Sequence, residues 1–178
     1  MFDLDRCYDS FATSPNEAYF WSGLGKNGQS VAADIARENG GVTLEMLMEK
    51  NKDLLIESGF EYDKELNRFI FSPENLDDWK AISNAYAEQV SGDTRVILGD
   101  RVRDDSVWNT KELPALSENE NVNRVISVDP QNGQDKGVLL DKTQNRDIDL
   151  EKDLGLKPTT TGTSTTDSLR TSVSNGLK

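Results

Sequence analysis

Hydrophobic and polar positions predict one well-defined helix in the middle of the chain. After Ser72 and Pro73, apolar and aromatic residues recur at spacings of three and four as far as Val90. Ser72 is a suitable N-cap, and Pro73 suits the first helical position, where its missing N–H would have no partner. The pattern therefore predicts an amphipathic helix that ends at Ser91 and Gly92.

Further helices are predicted nearer the N-terminus. Residues 30–38 place Val31 and Ile35 at helical spacing, and a Gly-Gly pair follows them. Thr43 is a suitable cap for a second helix, which the sequence LEMLMEKNKDLLIE continues as far as Gly59. The opening sequence DLDRCYDSF predicts a short helix before a Ser-Pro pair.

Three apolar runs are typical of strands, namely AYFWS, TRVIL at 94–98 and NRVISV at 123–128. The sequence FEYDKELNRFIF predicts two short extended runs or a surface insertion. The sequence SVWNTKELPAL alternates partly and is expected to break at Pro114. Because helices and strands interleave, we predict an α/β domain in which helices pack on a small, mainly parallel sheet.

The composition changes after Pro130. The sequence QNGQDKG is typical of a linker, and PTTTGTSTTDSLRTSVSNGLK is rich in threonine and serine. Such polar sequence buries too little apolar area to offset the entropy lost on ordering. We therefore predict a single domain over residues 1–130, followed by a linker and a disordered C-terminal tail over residues 131–178.

The charge balance limits the expected partners and location. The 178 residues include 32 acidic and 20 basic side chains, a net charge of −12. Since this charge repels phosphate backbones and anionic lipids, we expect neither a nucleic-acid nor a membrane partner. The sequence contains neither an apolar run of about 18 residues nor the basic and apolar regions of a signal peptide. We expect a protein of a reducing cytoplasm, its own or that of a cell into which it is delivered.

Missing residue types exclude several classes of catalysis. The chain has no histidine and one cysteine, Cys7. It therefore has no Ser-His-Asp or Cys-His nucleophile, no intrachain disulfide and no thiolate metal cage, and we expect no metal site. An enzyme with this sequence would use carboxylates, hydroxyls, aromatic rings and backbone amides.

The sequence YFWSGLGKNG contains a G-x-G-x-x-G pattern at Gly23, Gly25 and Gly28. A Rossmann site needs a buried strand before these glycines and a second strand ending in an acid about 20 residues later. Glu45 has that spacing, but Tyr-Phe-Trp-Ser is not a continuous buried strand, and the sequence around Glu45 merges into a helical pattern. The pattern favours a glycine-rich turn that opens a helix.

Several motifs occur in a particular order over residues 19–130: FWSG, TLE, WKAISNAYAEQVSG, TRVILGD, SVWNTKELPAL and NVNRVISVDP. In this order they resemble the ADP-ribosyl cyclase / cyclic ADP-ribose hydrolase family. The chain differs from the animal members in having no disulfides and in placing Met46 where they have the aspartate of T-L-E-D.

The resemblance implies an enzyme that cleaves the nicotinamide–ribose bond of NAD, with NAD as substrate and no cofactor. It implies that Glu112 is the catalytic glutamate and that Glu45 influences partition between cyclisation and hydrolysis. Trp21 and Trp79 match the tryptophans that flank the substrate.

The resemblance also implies contacts with the rest of the substrate. Ser83 matches a serine near the ribose, and Ser106 and Trp108 fall in the segment that faces phosphate and ribose. Pyrophosphate needs hydrogen-bond donors, and the helix start offers backbone amides over residues 22–28. The donors there include the side chains of Ser22 and Lys26 and the backbone of Gly23.

Other interpretations stay open for the same residues. Trp79 lies on the apolar stripe of its helix and suits the core, Glu45 suits a helix N-terminus, and Glu112 suits a surface pair with Lys111. The alternative functions are a non-catalytic NAD or ADP-ribose binding module and an interaction domain whose tryptophans are all core. Size and chemistry suggest, for the enzyme, a delivered toxin with a neutralising immunity protein as partner.

Overall fold

The computed structural model describes residues 1–143, which form an α/β fold. The strands are β1 (Ala18–Ser22), β2 (Val42–Thr43), β3 (Tyr62–Asp63), β4 (Arg68–Phe69), β5 (Gly92–Leu98), β6 (Val122–Val128) and β7 (Asp135–Asp141). The helices are α1 (Leu4–Cys7), α2 (Gly28–Glu38), α3 (Leu44–Lys50), α4 (Lys52–Glu57), α5 (Leu76–Gln89) and α6 (Leu113–Glu118). Two 3₁₀ turns, Tyr8–Phe11 and Pro73–Asn75, and a π turn, Trp108–Glu112, complete these elements.

The main sheet has five strands in the order β2-β1-β5-β6-β7. Strands β2, β1, β5 and β6 are parallel, and β7 is antiparallel to β6. The prediction of helices on a mainly parallel sheet is therefore confirmed. No helix within residues 1–143 is long and apolar enough to cross a membrane.

Alternation along β1 places apolar side chains on both faces of the sheet. Phe20 belongs to the larger core cluster with residues of α3 to α6, whereas Tyr19 packs with Ala32 and Ile35 of α2 on the opposite face. Each fully buried large apolar side chain contributes about 1.5–3 kcal/mol relative to exposure. Because side chains of the core cover both faces of the sheet, the ends of the strands are where a binding site can form.

The helix predicted after Ser72 is present. Ser72 precedes a 3₁₀ turn that begins at Pro73 and leads into α5, and its N–H donates to Asn75 Oδ1 at 2.9 Å. The prediction of one helix after Thr43 was wrong in one respect, because the helix is divided at Asn51 into α3 and α4. The Asn51 side chain donates to Leu47 O at 2.9 Å and so competes with the backbone ladder.

Two short runs in residues 60–71 pair as antiparallel strands β3 and β4, as the sequence predicts. We call residues 60–71 the aromatic hairpin. Its carbonyl at Ile70 accepts hydrogen bonds from Trp79 Nε1 at 2.8 Å and from Asn75 Nδ2 at 2.7 Å. The hairpin is thus bonded to α5 and to the turn that precedes it.

The expected break at Pro114 was wrong, because Pro114 lies in the first turn of α6. The π turn Trp108–Glu112 leads directly into this helix, and Leu113 N–H donates to Trp108 O. Proline, which has no N–H to donate, is therefore accommodated where the wider π turn changes to the α-helix.

The compact unit runs from Met1 to Asp141 and so extends past the predicted domain boundary at residue 130. In the predicted linker QNGQDKG, residues 131–134 form the turn before β7, closed by Asp129 N–H donating to Gln134 O at 2.9 Å, and residues 135–137 begin β7. Of the side chains of β7, Leu140 alone is half-buried, so the strand lacks the alternation by which strands are recognised. The predicted disorder of residues 144–178 lies outside the described residues.

Candidate active site

A cavity of about 470 Å³ lies at the carboxyl ends of β1, β2 and β5. Parallel strands end at one edge of a sheet, so the segments that follow them meet there. Nine of the ten sequence-predicted site residues line this cavity: Trp21, Ser22, Gly23, Glu45, Trp79, Ser83, Ser106, Trp108 and Glu112. The tenth, Lys26, is exposed and is not part of the lining.

Glu45 lies in the first turn of α3, directly after β2. Thr43 caps this helix, since the Met46 N–H donates to Thr43 Oγ1 at 3.3 Å. Trp21 Nε1–H, at the end of β1, donates to Glu45 Oε1 at 3.1 Å. Burial raises the pKa of Glu45, and the hydrogen bond from Trp21 opposes that rise. This bond holds one carboxylate and one indole together in the cavity wall.

Glu112 ends the π turn that begins at Trp108 and is only 8% exposed. Leu113 N–H donates to Trp108 O, the i→i+5 bond that defines this wider turn, and such turns are frequent at functional sites. Burial, with a contribution from the negative charge of Glu45, raises the pKa of Glu112 well above its usual value. Lys111 is exposed while Glu112 is buried, so the interpretation as a surface pair was wrong.

Helix α5 presents Trp79, Ser83 and Tyr86 to the cavity, at spacings of four and three that lie on one helical face. Trp79 also packs edge-on against Phe60, with ring centroids 5.2 Å apart. Trp79 therefore belongs to the core and to the cavity wall at once, and the two sequence-based interpretations are not exclusive.

The predicted phosphate site over residues 22–28 is only partly in the cavity. Ser22 and Gly23 line it, whereas Gly25 and Gly28 do not. A Cβ atom on Gly28 would lie 2.5 Å from Trp21 Cζ3, so this glycine leaves room for the indole ring. Gly23 has a positive φ, and its Cβ would lie 2.6 Å from Val102 N. Close packing thus explains two of the three glycines without phosphate.

The sequence interpretation missed several cavity residues. Arg101 and Arg103 lie on the loop after β5, and Phe69 and Phe71 come from the aromatic hairpin. Phe71 is 67% exposed, an unusual position for a large apolar side chain. The arginines follow a parallel strand at its carboxyl end, and this signal in the sequence could have identified them.

No group of three or more carboxylate or cysteine side chains within residues 1–143 is arranged to hold a metal ion. Cys7, the one cysteine, is buried and unpaired. The chemically distinctive groups of the cavity are therefore its two carboxylates, its tryptophans and its arginines.

No protein-family model and no curated protein matches this chain. Several solved structures are similar to it, among them the following three. A glutamate-to-alanine mutant of ADP-ribosyl cyclase is 21% identical with a TM-score of 0.44, and the match covers 65% of this chain and 49% of that chain. ADP-ribosyl cyclase complexed with N1-cIDPR is 21% identical with a TM-score of 0.45, covering 78% and 59%.

The third similar structure is Aplysia cyclase complexed with the substrate NGD and the product cGDPR. It is 22% identical with a TM-score of 0.44, and the match covers 80% of this chain and 59% of that chain. The chain thus spans between 49% and 59% of the length of these proteins. At this level the likeness concerns the fold alone and says nothing about individual site residues.

We expect Glu112 to destabilise the native protein increasingly as pH rises. Its pKa is higher in the native than in the unfolded state, so the native state binds more protons above about pH 4.5 and stability falls as pH rises through the native pKa. The Glu112→Gln variant has no carboxyl group at this position, so its stability does not fall for this reason. Between pH 4.5 and pH 8, its free energy of unfolding should therefore begin equal to that of the wild type and exceed it increasingly until the pH passes the native pKa of Glu112.

Urea unfolding across this pH range measures the difference between the two proteins. The Glu120→Gln variant, which removes an exposed carboxylate, is the control for the change in net charge. A stability difference for Glu112→Gln that does not change with pH, or that only follows the control, would contradict the burial argument.

Proposed function

We propose that this protein is an NAD+ glycohydrolase or ADP-ribosyl cyclase, which cleaves the nicotinamide–ribose bond of NAD+. The products are nicotinamide with ADP-ribose, cyclic ADP-ribose or both. The observation that carries the proposal is the presence of Glu45 and Glu112 in one cavity with three tryptophans. The family resemblance of the motifs supports the same reaction.

The chemistry suits a chain without histidine. Nicotinamide in NAD+ is a cationic pyridinium and departs neutral with the bonding electron pair, so no general acid is needed. The ribose carbon that remains has oxocarbenium character, which a nearby carboxylate stabilises. Water then adds to this carbon and loses a proton, or an adenine nitrogen adds to it in the cyclising branch. We assign charge stabilisation to Glu112.

The electrostatics of the cavity favour a cationic ligand. Burial disfavours the charged forms of Glu45 and Glu112, and the negative charge of Glu45 further disfavours that of Glu112. A pyridinium beside them would lower the pKa of both groups and restore their charge. The indole faces of Trp21 and Trp79 would add cation–π attraction of about 0.5–2 kcal/mol each. The site would thereby discriminate NAD+ from NADH, whose reduced nicotinamide ring is uncharged.

The proposal is tested by incubating the purified protein with NAD+ and separating the products by chromatography. We expect free nicotinamide in equal amount to ADP-ribose and cyclic ADP-ribose together, with the Glu112→Gln variant as control. NADH should remain intact. Intact NAD+ after long incubation at high protein concentration would contradict cleavage.

The competing functions give different results in the same preparation. A binding module would leave NAD+ intact and still show quenching of tryptophan fluorescence by NAD+ or ADP-ribose. An interaction domain with core tryptophans would show neither cleavage nor quenching. The toxin role and its neutralising partner stay predictions from the sequence.

A further inference from the structure

Two arginines give the mouth of the cavity a charge opposite to that of its interior. Arg101 and Arg103 are exposed, whereas Glu112 is buried and the carboxylate of Glu45 is desolvated. These arginines are the only cationic side chains in the cavity lining of residues 1–143. Since the chain as a whole has a net charge of −12, two cationic side chains at one cavity indicate a place where an anionic group can bind.

The loop that carries the arginines is held by backbone hydrogen bonds to the end of β1. Gly99 N–H donates to Ser22 O at 3.0 Å, and Arg101 N–H donates to Gly23 O at 3.3 Å. The absence of a Cβ on Gly23 allows the close approach of Val102. The backbone of Arg101 is therefore fixed beside the cavity, although its side chain lies in solvent.

The backbone of Arg103 is held by residues that follow it in the chain. Its carbonyl accepts hydrogen bonds from Ser106 N–H at 3.1 Å and from Asn109 Nδ2 at 2.8 Å. Asn109 belongs to the π turn that ends at Glu112. The same short segment thus positions one arginine and the proposed catalytic glutamate.

Neither guanidinium is strongly engaged by protein groups. Arg103 pairs with Asp105 at 3.2 Å, but both side chains are more than three-quarters exposed, and such pairs contribute little. No ion pair or side-chain hydrogen bond of Arg101 is formed within residues 1–143. Both groups can therefore exchange water or a weak partner for a ligand, and guanidinium suits bidentate binding of phosphate oxygens.

We infer that Arg101 and Arg103 form an anion-binding subsite that selects substrates carrying phosphate next to the pyridinium ribose. The inference rests on the proposed function for the identity of the substrate. The complementary ligand has a cationic ring for the interior and one or more phosphates for the mouth. Nicotinamide mononucleotide and NAD+ satisfy this description, and nicotinamide riboside, which lacks phosphate, does not.

The test compares kcat/KM for NAD+ with kcat/KM for nicotinamide riboside in four proteins. These are the wild type, Arg101→Ala, Arg103→Ala and the double variant. We expect the preference for NAD+ to fall about tenfold in each single variant, as for loss of a charge-assisted contact to a partly exposed phosphate. The fall should appear mainly in KM and be larger in the double variant.

The Arg68→Ala variant is the matched control. Arg68 is an exposed arginine on β4 that does not line the cavity, so its removal changes the net charge equally. The preference for NAD+ should be the same in this variant and the wild type. An equal loss in Arg68→Ala would mean that net charge, and not the subsite, sets the preference, and would overturn the inference.

A binding measurement separates this inference from the proposed function. ADP-ribose should quench tryptophan fluorescence in the wild type and bind about tenfold more weakly to each single variant, with an affinity that decreases as salt increases. If NAD+ is not cleaved but the variants lose ADP-ribose binding, the subsite stands and the proposed function fails. If both variants bind ADP-ribose as the wild type does, the subsite is overturned whether or not NAD+ is cleaved.

Discussion

Replacing Glu112 with glutamine should lower kcat for NAD+ cleavage by roughly 100- to 1,000-fold, the cost typical of losing one group that stabilises transition-state charge. Glutamine has nearly the same shape but cannot carry the negative charge that offsets an oxocarbenium. Since Glu112 is buried with Trp108 at the opposite end of one π turn, the substitution should leave the cavity walls in place. The dissociation constant for ADP-ribose should change much less than kcat, because this product carries no positive charge.

Steady-state kinetics and fluorescence titration measure the two quantities separately. The Glu120→Gln variant controls for the loss of one negative charge and should retain the wild-type kcat. A Glu112→Gln variant that is folded and retains more than about a third of kcat would refute the assignment of charge stabilisation to this residue. A loss of ADP-ribose binding parallel to the loss of kcat would indicate a structural effect.

The companion carboxylate, Glu45, contributes differently. It accepts a hydrogen bond from Trp21 Nε1, which favours its charged form, whereas the charge of Glu45 itself raises the pKa of Glu112. The Trp21–Glu45 bond therefore affects both carboxylates. The two glutamates have different electrostatic environments, because Glu45 accepts a hydrogen bond from Trp21 whereas Glu112 has the charged Glu45 as a neighbour.

Sequence pattern identified most of the fold where a periodic stripe or a turn residue was present. The α5 stripe, the Pro73 start and the paired runs of the aromatic hairpin are examples. The pattern missed β7, because an edge strand with little buried surface has no alternation to detect. It also missed the division at Asn51, where a side-chain hydrogen bond competes with the helix ladder.

The site was predicted through motif order, and its physical basis is topological. Trp21, Glu45 and Arg101 are far apart in sequence, but each lies at or just after the carboxyl end of a parallel strand. The order of the strands in the sheet brings these ends together, and the local pattern of residues in the sequence does not reveal that order. Arg101 and Arg103 were missed because they lie in a loop outside the quoted motifs. Lys26 was included because it follows a glycine turn, which packing on Trp21 explains instead.

Removing the side chain of Tyr86 should destabilise the fold by about 3–5 kcal/mol, the range for deleting a fully buried aromatic ring. Tyr86 has no exposed surface, and its ring centroid lies 4.8 Å from that of Phe20 in the core. Its hydroxyl lies 3.1 Å from Tyr19 O and 3.0 Å from Val42 O, so one side chain joins α5 to β1 and β2. The Tyr86→Phe variant keeps the ring and should lose only about 1–3 kcal/mol, the cost of the hydrogen bonds.

Urea unfolding of Tyr86→Ala and Tyr86→Phe separates packing from hydrogen bonding, since the two losses differ by the contribution of the ring. The exposed Leu66 provides the control, because Leu66→Ala should change stability by less than about 0.5 kcal/mol. Tyr86 also lines the cavity, so Tyr86→Phe should retain NAD+ cleavage if the ring forms the wall and the hydroxyl serves only the fold. Equal losses of stability in both Tyr86 variants would mean that the hydroxyl, and not the ring, holds α5 against the sheet.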